Sequence, residues 1–132
     1  MAMELEFPRP VADLCAALAG QGFDVLDERY TGGGLVLILQ GPAVVDGEWM
    51  EAFVRVAERD GRWSICLRFE GMANWITARA WEAYLDGTEP DVRDLAGRAH
   101  FVRYRLADAA RAIRATPHAE RVLVRLTERQ PG

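Results

Sequence analysis

The chain has 132 residues and 14.7 kDa, enough for one domain and too few for two. Half of the residues are apolar and 27% are charged, which excludes a disordered chain, and no apolar run reaches the roughly 18 residues of a membrane span. The net charge of −4 removes the long-range attraction that non-specific nucleic-acid binding needs, and it leaves room for an acidic face toward a basic protein partner.

The charge is unevenly spread. Residues 1–90 carry 7 Arg against 15 acids, residues 91–132 carry 9 Arg against 5 acids, and there is no Lys. The first ten residues hold Glu4 and Glu6 and lack the basic-then-apolar order of a signal peptide. Cys15 and Cys66, the only cysteines, both sit among apolar neighbours, as buried free thiols do. These features predict a soluble, cytoplasmic, single domain over 1–132.

The first predicted element is a helix. Pro10 suits a first helical position, Val11, Leu14, Cys15 and Leu18 share one face, and Gly20 and Gly22 end it. Phe23 to Tyr30 reads as a strand, and Thr31-Gly32-Gly33-Gly34 as a hairpin turn. No Lys-Ser or Lys-Thr follows these glycines to make a phosphate cradle. Leu35 to Leu39 is a continuous apolar run, expected to be a central strand covered on both faces. A loop from Gly41-Pro42 to Gly47 is expected to follow it.

The clearest local signal is the hairpin from Trp49 to Glu70. Asp60-Gly61 is a type I′ turn pair, and it fixes a register in which Val56 faces Ile65, Val54 faces Leu67 and Ala52 faces Phe69. The other face then pairs Arg55 with Cys66 and Phe53 with Arg68. A slip of one residue would turn the apolar set into water. Gly61→Val should therefore destabilise the fold, because a β-branched residue resists the positive φ the turn requires.

Beyond Gly71, Asn74 is expected to cap a helix from Trp75 to Asp86 that Gly87 ends, with Ile76, Ala80, Ala83 and Tyr84 inward. Trp75 and Trp81, six residues apart, cannot share one helical stripe, so at least one must lie at the rim of the core or on a second surface. Asp91 is expected to cap the next helix. Its seam runs Leu95, Ala99, Val102, Leu106, Ala109 and Ile113. Residues 98–106 also fit a strand, with His100, Val102, Tyr104 and Leu106 on one face. Past Pro117, the alternation of Val122, Val124 and Leu126 predicts a last strand whose place in the sheet stays open. The class that follows is α+β: a mainly antiparallel sheet of about five strands with helices on one face, in the order α-β-β-β-β-α-α-β.

No catalytic constellation emerges. Ser64, the only serine, has no nucleophile-elbow glycines around it. Cys66 has Arg55 across the hairpin and Arg68 two residues along, and a nearby Arg favours the thiolate. A small residue tucked under Arg stems is the plainer reading. His100 and His118 have no carboxylate at a diagnostic spacing, and Cys and His are too few for a zinc site. No catalytic, cofactor-binding or metal-ligating residue is therefore assigned. Nor does the Arg-rich last third, with Phe101 and Tyr104, carry an RNA-binding signature.

One stretch has a family likeness. Gly61-Arg62-Trp63-Ser64-Ile65, leading through Met72 to a helix that closes as Ala83-Tyr84-Leu85-Asp86-Gly87, resembles small bacterial immunity proteins of polymorphic and secreted toxin systems. The resemblance implies a non-catalytic inhibitor that neutralises a toxin by direct binding, with no catalytic residues to transfer. The partner expected here is thus a protein, a toxin, and neither nucleic acid nor membrane. The proposed contact surface is Asp46, Glu48, Trp49 and Glu51, three carboxylates around one large apolar side chain. The alternative is a small ligand-binding or enzymatic α+β domain with a pocket between helices and sheet, in which His or Cys converges with carboxylates.

Overall fold

Two tight turns with the same backbone geometry set the sheet. In the computed structural model, which describes residues 7–88, 94–116 and 118–128, Asp46-Gly47 and Asp60-Gly61 both take positive φ (52° and 80°; 53° and 79°). That is the type I′ pattern whose twist matches the strands on either side. They join β2 (Gly34–Val45), β3 (Glu48–Arg59) and β4 (Arg62–Phe69) into a meander. The β3–β4 register is the one Asp60-Gly61 predicts, with Ala52 facing Phe69, Val54 facing Leu67 and Arg55 facing Cys66. β1 (Asp24–Thr31) pairs with β2 through the Gly32-Gly33 turn, and the short β5 (Ile76–Thr77) closes the other edge against β4. All five strands are antiparallel, in the order β1-β2-β3-β4-β5.

Four helices cover one face of this sheet: α1 (Arg9–Gly20), α2 (Ala78–Asp86), α3 (Leu95–Ala115) and α4 (Ala119–Glu128). The α+β class, with an antiparallel sheet of five strands and helices on one face, is as the sequence predicts. The core joins Val54, Val56, Ile65, Leu67 and Phe69 to Val11, Leu14 and Leu18 of α1 and to the seam of α3. That seam settles residues 98–106 as helix: Ala99, Val102, Leu106, Ala109 and Ile113 are all buried, and a kink falls at Arg105 (φ −119°, ψ 17°). Trp81 is fully buried, its ring edge-on to Phe69 at 5.6 Å and its Nε1 donating to the Leu67 carbonyl at 2.9 Å.

Several expectations are corrected. The run Leu35 to Leu39 is covered on one face only, because Leu35, Leu37 and Leu39 are buried while Val36 and Ile38 are half-exposed. The expected loop from Gly41 to Gly47 is strand as far as Val45, and only Asp46-Gly47 turns. Gly41 is needed where it stands: a Cβ there would lie 2.4 Å from the ring of Phe23, which packs over the strand. The second helix begins later than expected. Thr77, whose hydroxyl accepts from the Ala80 N–H, is the cap in place of Asn74, because Ile76 is held extended against Leu67. Gly87, at φ 67°, ends that helix as expected.

The segment expected as a last strand is α4. Ala119, Leu123 and Leu126, at steps of four and three, are its buried residues, whereas Val122 is exposed. A helix packed on α2 buries that spacing better than an added strand would. One oxygen of Glu120 fastens α4 to the start of β5, accepting from the Ala73 and Asn74 N–H groups and from Asn74 Nδ2 at 2.9–3.0 Å. The expected cap Asp91 lies outside the described residues. Asp94 is the cap observed, accepting from the Gly97 N–H at 2.9 Å. Cys15 is half-buried, not fully buried; both thiols are free.

Gly41→Ala should cost about 1–3 kcal/mol, the usual penalty for overpacking a filled site. Gly20→Ala, which meets nothing within 4 Å, should be neutral or slightly stabilising. Urea unfolding of both variants checks the pair.

Candidate functional site

With helices on one side, the other face of the sheet is left open among the described residues, and both candidate sites lie on it. Strand alternation decides who reaches it: Gln40, Phe53, Arg55, Cys66 and Arg68 share this face with Trp49 and Glu51. Two parts of it differ in chemistry.

At one end is a cleft of about 550 Å³ lined by Asp24, Leu26, Pro42, Val44, Trp49 and Glu51 among others. Leu26, Val44 and Trp49 are 56%, 59% and 66% exposed, a concentration of apolar surface that a monomer has no internal reason to keep in water. Val44 and Trp49 are cross-strand partners beside the Asp46-Gly47 turn. Leu26 arrives by a different device. The register of β1 on β2 shifts between Val25 and Asp27, so Leu26 is the extra residue of a β-bulge.

The four residues singled out from the sequence are divided by the strand. Trp49 and Glu51 line the cleft together. Glu48 stands one position out of phase with Trp49 and pairs with Arg114 of α3. Asp46, in the turn, lies 3.8 Å from Arg111 of the same helix. Both pairs are exposed and worth little in stability, but they place counter-charges beside these acids. Asp24 and Glu51 make no ion pair among the described residues. Asp24, Leu26, Pro42 and Val44 are cleft residues that sequence reasoning missed. Alternation would have found Val44 had the segment before Asp46 been read as strand; nothing in the sequence marks the bulge.

Toward the middle of β3 and β4, two arginines lie over one indole. The guanidiniums of Arg55 and Arg68 each lie 5.1 Å from the ring centre of Trp75, and Arg68 also lies 4.9 Å from that of Phe53. Such contacts are worth about 0.5–2 kcal/mol each. Arg55 Nη2 donates to Cys66 Sγ at 3.5 Å and Arg68 Nη1 to the Met72 carbonyl at 2.9 Å. The Nε of each arginine is buried with no acceptor. Trp75 does lie on a second surface, but because it precedes β5 outside the helix and not because of an angular separation from Trp81 along one.

Cys66 is 4% exposed beneath this group. Burial pushes its thiol pKa up, and the opposing pull of Arg55 is the lesser effect, so the Arg neighbours do not make a reactive thiolate here. His100 lines a small cleft of about 280 Å³ between α1 and α3 with Asp13 and Arg9, its ring against Tyr104 at 4.5 Å. No group of three or more His, Cys, Asp or Glu capable of holding a metal occurs among the described residues. No described helix is long and apolar enough to cross a membrane. Comparison of the chain with protein-family models, with curated proteins and with solved structures finds no match.

The raised thiol has a measurable consequence. An unfolded Cys loses its proton near pH 8.5, whereas folded Cys66 holds it to higher pH. Above about pH 8.5 the unfolded state therefore binds fewer protons than the folded one, and stability falls as pH rises. Urea midpoints at pH 7.5 and 9.5 should drop less in Cys66→Ala than in the parent chain.

Proposed function

We propose that this protein is a non-catalytic protein-binding module of the immunity type, which neutralises a bacterial toxin in the cytoplasm by direct contact. The observation that carries the reading is the cleft around Trp49, where a large exposed indole and three exposed aliphatic side chains, Val25, Leu26 and Val44, stand beside two carboxylates that make no ion pair among the described residues. An apolar anchor inside a polar rim is the usual energetic form of a protein interface. The charge of the rim and of the whole chain selects a partner with a basic surface, steered in by the field and held by the indole. The resemblance of the Trp63 strand and the Tyr84-Leu85-Asp86-Gly87 helix end to immunity proteins supplies the class of that partner.

Affinity capture with the intact chain, followed by kinetic binding measurements on the captured toxin, tests this. Trp49→Ala should weaken binding at least about tenfold through faster dissociation. Glu51→Gln and Asp24→Asn should slow association and flatten its salt dependence. Asp46→Ala and Glu48→Ala should do less, because Arg111 and Arg114 already partner those acids. Unchanged affinity in Trp49→Ala, Glu51→Gln and Asp24→Asn, with the fold intact, would overturn the assignment of this surface.

A further inference from the structure

Arg55 and Arg68 are placed in a way that packing alone does not explain. Both project from the open face of the sheet, on adjacent strands, and neither has a carboxylate partner among the described residues. Of the acids nearest in register, Glu51 on the same face makes no ion pair among the described residues, and two others are engaged elsewhere. Glu70, two residues beyond Arg68, accepts from the Glu51 N–H at 2.9 Å, and Asp27 pairs with Arg29 at 2.7 Å. Each guanidinium spends one Nη on the protein, and its Nε is shut away without an acceptor. Among the described residues the other Nη of each, Arg55 Nη1 and Arg68 Nη2, has no acceptor, and unlike the Nε it is not shut off from the surface. Two like charges on one indole, each with a spare donor, in a chain of net charge −4, make a local positive site short of acceptors.

We propose that Arg55 and Arg68 form a carboxylate-binding site on the open face, with Trp75 as the platform between them. A carboxylate offers paired oxygens to paired N–H donors, which is the geometry guanidinium groups recognise best. Trp75 holds both guanidiniums and Phe53 that of Arg68, which fixes them before the ligand arrives. Cys66 beneath serves as packing and as an acceptor for Arg55. The site is independent of the Trp49 cleft and stands whether or not that cleft binds a toxin. The carboxylate comes either from a free small molecule or from an acidic side chain.

The buried Nε–H groups supply the readout, since shielding from water slows their exchange and makes them visible by ¹⁵N–¹H NMR. The intact protein is titrated at constant ionic strength with benzoate, with a capped glutamate peptide and, as controls, with chloride and benzyl alcohol. Saturable shifts of the Arg55 and Arg68 Nε–H signals and of the Trp75 indole N–H are expected with the carboxylates and not with the controls. Tighter binding of benzoate assigns the site to free carboxylates, and tighter binding of the peptide assigns it to an acidic side chain. Arg55→Lys and Arg68→Lys keep the charge and the apolar stem, and each should weaken binding about tenfold by losing the paired donors. Shifts that do not saturate, that chloride reproduces, or that persist at the same affinity in the R55K/R68K double variant would overturn the proposal.

Discussion

The rest of the structure depends on the register of β2, β3 and β4. Asp46-Gly47 and Asp60-Gly61 each allow only two residues between strands, and that length fixes which side chains stand opposite one another. Leu37, Val56 and Ile65 thereby line up across three strands, as do Leu39, Val54 and Leu67. These rows form the floor on which every helix rests. Trp81 reaches that floor at Leu67 and Phe69, and the α3 seam covers the rest. A slip at either turn would exchange the two faces and leave the helices nothing apolar to cover.

The same alternation builds the uncovered face. Each position that sends an aliphatic side chain to the helices has neighbours that go the other way, and those neighbours are not ordinary surface residues. They include Ile38, Phe53, Trp49, two arginines and a buried cysteine. Along β3 they change character within a few residues, from Trp49 and Glu51 beside the turn to Phe53 and Arg55 at mid-strand. An acidic apolar cleft and a basic aromatic tier therefore occupy one surface, each with charges that the described part of the chain leaves without a counter-ion.

Elsewhere the chain neutralises itself. The acidic first two-thirds and the basic last third, distinct in sequence, meet where α3 crosses the end of the sheet. Arg111 and Arg114 face Asp46 and Glu48, and Arg105 bonds Asp86 at 2.8 Å and Asp108 at 3.4 Å. Contacts of this kind give Arg105, Arg111 and Arg114 of the Arg-rich helix acidic partners within the chain. Asp24, Glu51, Arg55 and Arg68 are charges on the open face that have no such ion pair among the described residues.

The sequence by itself determined whatever is written in short-range signals. Asp60-Gly61 gave the hairpin and its register, Gly87 the end of α2, and the four-and-three spacing from Leu95 to Ile113 the long helix, because turn geometry and helical period act within a few residues. Where two periods fitted the same residues, only packing decided. Val122 to Leu126 alternates like a strand, yet Ala119, Leu123 and Leu126 meet α2 as a helix. Trp75-Ile76 fits a first helical turn, yet Leu67 holds Ile76 extended. The sites were half legible for the same reason. Trp49 and Glu51 could be named from β3 alone, but Asp24, Leu26 and Val44 come from other strands and one bulge, and Trp75 comes to lie between Arg55 and Arg68 only when β5 pairs with β4. Such meetings depend on distances through space, which neither propensity nor period encodes.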